Sequence, residues 1–147
     1  MQNRLLALAA ASLVAVASSR AVAQAPPTAS PGQANIAREN QLLQVFKTGE
    51  AEQLGKLLAP GFVNHAGPGD LIGPAATKGL VQAFHARFHP VKMEIKKQWA
   101  DADHVSTWIR YTGANPAAIV DGIELTRYVN GQAVEHWFFP NSQAVKP

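Results

Sequence analysis

The stretch that most constrains this chain is residues 121–141, DGIELTRYVNGQAVEHWFFPN. Asn130-Gly131 lies between two alternating, β-prone runs, and both residues tolerate the left-handed backbone that tight hairpins need, so the stretch reads as two strands joined by a turn. The register decides which side chains meet. A two-residue loop sets Glu124 opposite Trp137. A three-residue loop, residues 129–131 with Gly131 in a bulge, sets Glu124 opposite His136. The second is favoured, because Val129 is a poor residue for a left-handed position. One face then carries Thr126 with Val134, Glu124 with His136 and Gly122 with Phe138. The other carries Ile123, Leu125, Arg127, Ala133, Glu135 and Trp137. A slip of one residue would exchange the faces.

The rest of the chain has to build around that hairpin from a limited supply. Arg4, the short apolar run 5–17 and Ala21-Val22-Ala23 before Gln24 read as a secretory signal peptide, residues 1–23. The run is too short to span a bilayer comfortably. The 147-residue chain contains no cysteine, which excludes disulfides and a lipoprotein anchor. The expectation is a secreted or periplasmic protein with no membrane attachment after cleavage, standing on its core alone. Losing Arg4 and Arg20 with the leader lowers the formal charge from +3 to +1. No basic face then argues for nucleic acid.

Residues 24–33 are a Pro/Ala-rich linker, 34–141 a single domain and 142–147 a tail. Ser30-Pro31-Gly32-Gln33 can cap a helix that runs to Thr48 and ends at Gly49, with Ile36, Leu42, Leu43, Val45 and Phe46 as its apolar stripe. A second helix is expected over 51–58, stopped by Pro60-Gly61. Phe62-Val63-Asn64-His65 reads as a short extended piece before a glycine-rich loop. Pro74 opens a third helix to Phe88, with Leu80, Val81, Phe84 and Phe88 inward. From Val91 the period switches to two. Val91, Met93, Ile95 and Trp99 alternate with polar residues. Val105, Thr107, Ile109 and Tyr111 share one face of the next strand, and His104, Ser106, Trp108 and Arg110 the other. Three helices followed by a run of strands predict an α+β fold, with helices packed into a strongly curved antiparallel sheet shaped as a cone.

Several motifs in this order carry a resemblance: Val45-Phe46-Lys47-Thr48-Gly49, Phe62-Val63-Asn64-His65, Gly73-Pro74 at the third helix, and above all the run from Arg127 through Glu135-His136-Trp137. The chain resembles the SnoaL-like polyketide cyclase (ester cyclase) group of the nuclear-transport-factor-2-like superfamily over about residues 36–141. The resemblance implies an α+β barrel, commonly dimeric, with an apolar pocket. It also implies an aldol ring closure by an Asp acid/base with a His nearby and no metal. This sequence departs from that pattern. Phe138 stands where the resemblance places the Asp, and Glu124 where it places the partner His.

The candidate catalytic residues are therefore Glu124 and His136, with His65 orienting substrate. In an apolar cavity desolvation raises a carboxylate's pKa, while an adjacent imidazolium lowers it; either outcome suits proton abstraction next to a carbonyl. A structural Glu–His pair is the alternative. Asn64, Phe84, Trp108 and Phe138 are the candidate substrate-binding residues, with Phe88 as a further wall; ordinary core packing also explains the aromatics. His85 and His89 have a chelating spacing but no evident third ligand, so no metal or other cofactor is expected. Asp101, Asp103 and Asp121 read as turn or strand-start residues. The Asp-Arg-Asp constellation of an epoxide hydrolase is not assembled: Arg110 has only Asp101 or Asp121 to draw on. The ligand implied is a small, largely apolar carbonyl compound, and a non-catalytic binding module or a dimerising sheet face are the alternatives.

Overall fold

The computed structural model describes residues 29–114 and 118–141. The expected signal peptide, residues 24–28 of the linker and the tail lie outside the described residues. Helix α1 (Pro31–Thr48) starts where Ser30 caps it: the Ser30 hydroxyl accepts from the Gln33 N–H at 3.4 Å, and Pro31 fills the first turn. Gly49, at φ +79°, ends it. A 3-10 turn (Ala51–Gln53) leads to α2 (Leu54–Leu57), shorter than expected. Leu58 already opens β1 (Leu58–Asn64), and Pro60-Gly61 fall where its pairing with a later strand shifts, between Leu58 and Val63. Proline lacks an N–H, so here it interrupts a ladder and not a helix. A two-residue β2 (Leu71–Ile72) and α3 (Gly73–Phe88) follow, then β3 (Lys92–Ala100), β4 (His104–Thr112), β5 (Ile119–Val129) and β6 (Gln132–Pro140).

The six strands form one sheet in the order β2-β1-β6-β5-β4-β3. Pairing is antiparallel except between β1 and β6, which run parallel, so the sheet is mixed, and open between its β2 and β3 edges. The helices cover one face, α1 against β3 and β4 and α3 against β1. Two groups of buried side chains fill the space between. One is built on Leu42, Leu54, Phe62, Val81, Val105 and Tyr128, the other on Leu43, Phe88, Ile109 and Tyr111.

The hairpin corrects the favoured register. Val129 pairs with Gln132, and the turn is Asn130-Gly131, with φ of 50° and 76°. Val129 stays in the strand and needs no left-handed backbone. A shift between Arg127 and Tyr128 then leaves Val134 as an extra residue in β6. Beyond it Thr126 pairs with His136 and Glu124 with Phe138. Glu124 is therefore not opposite His136. The combined offset is two residues, so the side chains keep their faces: Gly122, Glu124, Thr126, His136 and Phe138 point toward the helices, as expected. Ala133 changes sides and is fully buried beside Tyr128.

A second bulge, between Ile95 and Lys97 in β3, flips the parity after Ile95. Trp99, expected inward, is 46% exposed on the outer face. Gln98 takes the inner position and donates from Nε2 to Asn40 Oδ1 (3.0 Å) and Thr107 Oγ1 (3.1 Å).

Candidate active site

Between the helices and the inner face of the sheet lies a cavity of about 450 Å³, in the range of small-molecule pockets. Its walls are mainly apolar: Phe46 from α1, Phe62 from β1, Phe84 and Phe88 from α3, Tyr111 from β4 and Phe138 from β6. Phe84 stacks on Phe88 at 4.4 Å and meets Tyr111 edge-on at 5.1 Å. Phe138 reaches its place because Gly122 has no side chain; a Cβ there would stand 2.6 Å from the Phe138 ring. Against this lining stand a few polar groups: Asn64, Thr77, Glu124, His136 and, on the exposed side of α3, Arg87.

Asn64 and His136 are register partners across the parallel β1–β6 pair. Asn64 Oδ1 accepts from the Ala66 N–H (2.9 Å) and lies 3.1 Å from His136 Nδ1. The backbone donor identifies that Asn64 atom as the oxygen, so His136 must present Nδ1–H to it. When the ring is neutral, Nε2 is then the unprotonated nitrogen. Neutrality is favoured: burial, with a smaller effect of His65, lowers the His136 pKa to about 4. Glu124 is pushed the other way. Burial raises its pKa well above the usual carboxylate range, the nearby Glu39 carboxyl raises it further, and Tyr111 opposes this weakly. The cavity therefore sets a carboxyl pushed toward its protonated form beside an imidazole pushed toward its neutral form, diagonal neighbours on one face of the β5–β6 pair.

His65 does not join them. It lies on the outer face, with Nδ1 2.7 Å from Asp70 Oδ1 and Nε2 3.2 Å from Glu135 Oε1, and it stacks on Trp137 at 5.2 Å. Asp70 and then Glu135 raise its pKa. Glu135 is held in turn by two bonds from Arg127, at 3.0 and 2.9 Å. His65 thus fastens the 66–70 loop to the sheet; the expected substrate contact does not arise from this position. Trp108 is corrected too. It is 41% exposed on the outer face, where its Nε1 donates to Asp121 Oδ1 at 3.1 Å. Phe84, Phe138 and Asn64 do line the cavity.

Asp121 is more than a strand-start residue. It is buried and pairs across the sheet with Arg110, whose Nε donates to Oδ2 at 2.6 Å. Burial works to raise its pKa, but the bonds from Trp108 and Arg110 outweigh that and leave it lowered. The pair sits on the outer face, away from the cavity. Asp101 behaves as a turn residue, its Oδ1 accepting from the Asp103 and His104 N–H groups at 3.0 and 2.7 Å. His85 and His89 stand side by side, with nitrogens 3.4 Å apart. Neither belongs to the one group of three or more metal-ligand side chains found among the described residues, which is Asp101, Asp103 and His104 at that exposed turn.

Sequence reasoning missed Glu39. It is fully buried on α1, accepts from the Tyr128 hydroxyl at 2.6 Å, and has its pKa raised to about 7, chiefly by burial. The signal was present: Glu39 falls three residues after Ile36 and three before Leu42, inside the apolar stripe.

An open, curved sheet folded over helices around an apolar chamber is the α+β cone of nuclear-transport-factor-2-like proteins. Within that class the chain belongs to the SnoaL-like domain family, whose model matches residues 40–136. Solved structures agree on the fold. A protein described as a SnoaL-like polyketide cyclase from Jannaschia sp. CCS1 superposes with a TM-score of 0.69 at 16% identity, covering 82% of this chain and 94% of its own. One described as a ketosteroid isomerase from Kribbella flavida gives 0.66 at 13% identity over 77% and 82% of the two chains. IdmH from Streptomyces antibioticus, described as a polyketide cyclase, gives 0.65 at 19% identity over 76% and 94%. No curated protein matches the chain in sequence.

Proposed function

We propose that the cavity carries out cofactor-free proton transfer on a small, largely apolar carbonyl compound, as in aldol ring closure or keto–enol isomerisation. The observation that carries this reading is a carboxyl and an imidazole lining one apolar chamber, with the imidazole oriented by Asn64; burial favours the protonated form of the first and the neutral form of the second. Glu124 donates a hydrogen bond to the substrate carbonyl oxygen. His136 Nε2 takes the proton from the adjacent carbon. The negative charge of the enolate then develops on the oxygen that Glu124 already holds. Diagonal positions on paired strands are roughly 7–8 Å apart, enough for a carbonyl and its α-carbon to lie between the two groups. The roles differ from the expectation in which Glu124 is the base, because burial and the Glu39 carboxyl both raise its pKa and so favour the protonated form.

A panel of carbonyl compounds assayed with wild type, Glu124→Gln and His136→Gln tests this. Turnover should depend on both residues. Its pH profile should have an acid limb near 4 from His136 and an alkaline limb from Glu124, displaced upward from the usual carboxylate range. Undiminished turnover in either variant would overturn the assignment. One observation favours a second reading, a binding module without catalysis. Phe138 occupies the position where the sequence resemblance places an Asp, and it faces Glu124 directly.

Two further parts of the reading concern setting. The outer sheet face exposes Trp99, Trp108, Ile123 and Phe139, which supports a homodimer through that face; sedimentation of wild type against Trp108→Glu tests it. Export rests on residues 1–23, and N-terminal sequencing of the mature protein should begin at Gln24.

A further inference from the structure

We propose that Glu39 is a positioning residue for Glu124: the two inward-facing carboxyls, one buried on α1 and one lining the cavity from β5, share a single negative charge, and Glu39 carries it so that Glu124 keeps its proton. The catalytic consequence rests on the acid role proposed for Glu124; the charge sharing itself does not. Glu39 lies one helical turn before Leu42 and Leu43, which wall the cavity, and none of its surface is exposed. Its Oε2 accepts from Tyr128 at 2.6 Å, while Oε1 has no hydrogen-bond partner. The Tyr111 hydroxyl and Thr126 Oγ1 are buried without a well-formed bond; each lies close enough to a carboxyl to lower its pKa weakly, Tyr111 that of Glu124 and Thr126 that of Glu39. Glu124, Thr126 and Tyr128 follow one another on the inner face of β5, and Tyr111 reaches the cavity from β4. Unpaired polar atoms are costly to bury, and three of them gather where α1 meets β4 and β5.

Among the described residues no cation is paired with this group. Arg38, next to Glu39 on α1, is exposed and donates to Gln41 at 3.3 Å. Arg87 of α3 is exposed at the cavity wall. From β6 the group is faced by His136, held neutral; from β4 and β5 by the neutral hydroxyls of Tyr111, Thr126 and Tyr128. Two ionised carboxylates cannot share such a site, so one keeps its proton. Tyr128 and, more weakly, Thr126 lower the Glu39 pKa, while Tyr111 alone does so for Glu124, so Glu39 is the better anion. Glu39 ionises near pH 7, and its charge in turn opposes ionisation of Glu124.

The test is a pH titration by NMR of protein carrying ¹³C-carboxyl glutamate, in wild type, Glu39→Gln and Tyr128→Phe, with Glu124→Gln to assign the upper step. Wild type should show one carboxyl, that of Glu39, titrating near 7 and a second, that of Glu124, raised well above the usual carboxylate range. Glu39→Gln should lower the Glu124 step, because the charge that opposes its ionisation is gone. Tyr128→Phe leaves both carboxyls in place and decides the matter if Glu39→Gln does not fold: removing the hydroxyl should raise the Glu39 step and bring the two steps together. An upper step unmoved in a folded Glu39→Gln protein, or steps that do not converge in Tyr128→Phe, would overturn the proposal. The titration needs no substrate. Coupled steps with no turnover of any carbonyl compound would remove the acid/base reading and keep the charge sharing. Turnover with an indifferent Glu124 step would do the reverse.

Discussion

Glu39→Gln has a consequence for stability that can be worked from the structure. In the unfolded chain this carboxyl has its ordinary pKa of 4.5, and in the fold it is raised to about 7. Between those values the folded state binds the extra proton, so stability falls as pH rises and levels off above the folded value. A shift of about 2.5 units is worth about 3 kcal/mol, and the full burial of Glu39 means that solvent screening does not reduce it. The penalty is absent below about pH 4.5 and complete above about pH 7. Glutamine removes the titration but leaves an amide that keeps the Tyr128 bond and buries one unpaired NH₂. That second cost, about 1–3 kcal/mol, does not vary with pH. The quantity to read is therefore the change in ΔΔG between pH 4.5 and pH 8, from urea unfolding at each pH. The variant should gain about 3 kcal/mol on wild type across that range, on the order of 10–20 °C in Tm. A pH-independent ΔΔG, or a variant that loses ground as pH rises, would refute a buried, unpaired Glu39 carboxylate.

Other expectations follow from the site. Glu124→Gln should abolish turnover while keeping ligand affinity within about tenfold, roughly 1.4 kcal/mol, by calorimetry. Asn64→Leu removes the acceptor that sets the His136 tautomer, so ¹⁵N spectra should change from a single Nδ1–H form to a mixture. His65→Gln should leave cavity affinity unchanged and speed amide exchange in residues 66–70, because His65 ties that loop to Glu135 from the outer face. Gly122→Ala should clash with the Phe139 carbonyl oxygen, 2.5 Å from the added Cβ, as well as with the Phe138 ring, shifting β6 at a cost of about 1–3 kcal/mol, seen as a lower Tm and a changed ligand affinity.

The sequence was most legible where one local rule governed one element. Ser30-Pro31 and Gly49 bracket α1 because caps are read within a turn of the residues that make them. The inner face of β5 follows from alternation alone, which is why Glu124 and Thr126 were placed correctly and β6 residues His136 and Phe138 joined them. The exact partners were not legible. The extra residue at Val134 and the bulge after Ile95 each arise from how neighbouring strands fit, and neither leaves a mark in composition. The second bulge exchanged Trp99 with Gln98. The parallel β1–β6 pairing was hidden for the same reason, since it joins segments about seventy residues apart. It is also what brings Asn64 to His136 and carries His65 to the opposite face. Arg110 with Asp121 became a pair only through the β4–β5 register. Glu39 was legible as an anomaly in an apolar stripe, but its meaning depended on Tyr128 and Glu124 converging on it from the sheet.

The direct measurement is deuterium uptake at the α-carbon of a carbonyl compound small enough for a cavity of about 450 Å³, an aryl β-keto ester for example, followed by NMR in D₂O. It reads proton abstraction without requiring the natural product. Wild type should exchange the α-proton faster than buffer, and Glu124→Gln and His136→Gln should return the rate to the buffer value. A compound that binds in the cavity and exchanges no faster than in buffer would contradict acid/base catalysis and leave the domain a binding module.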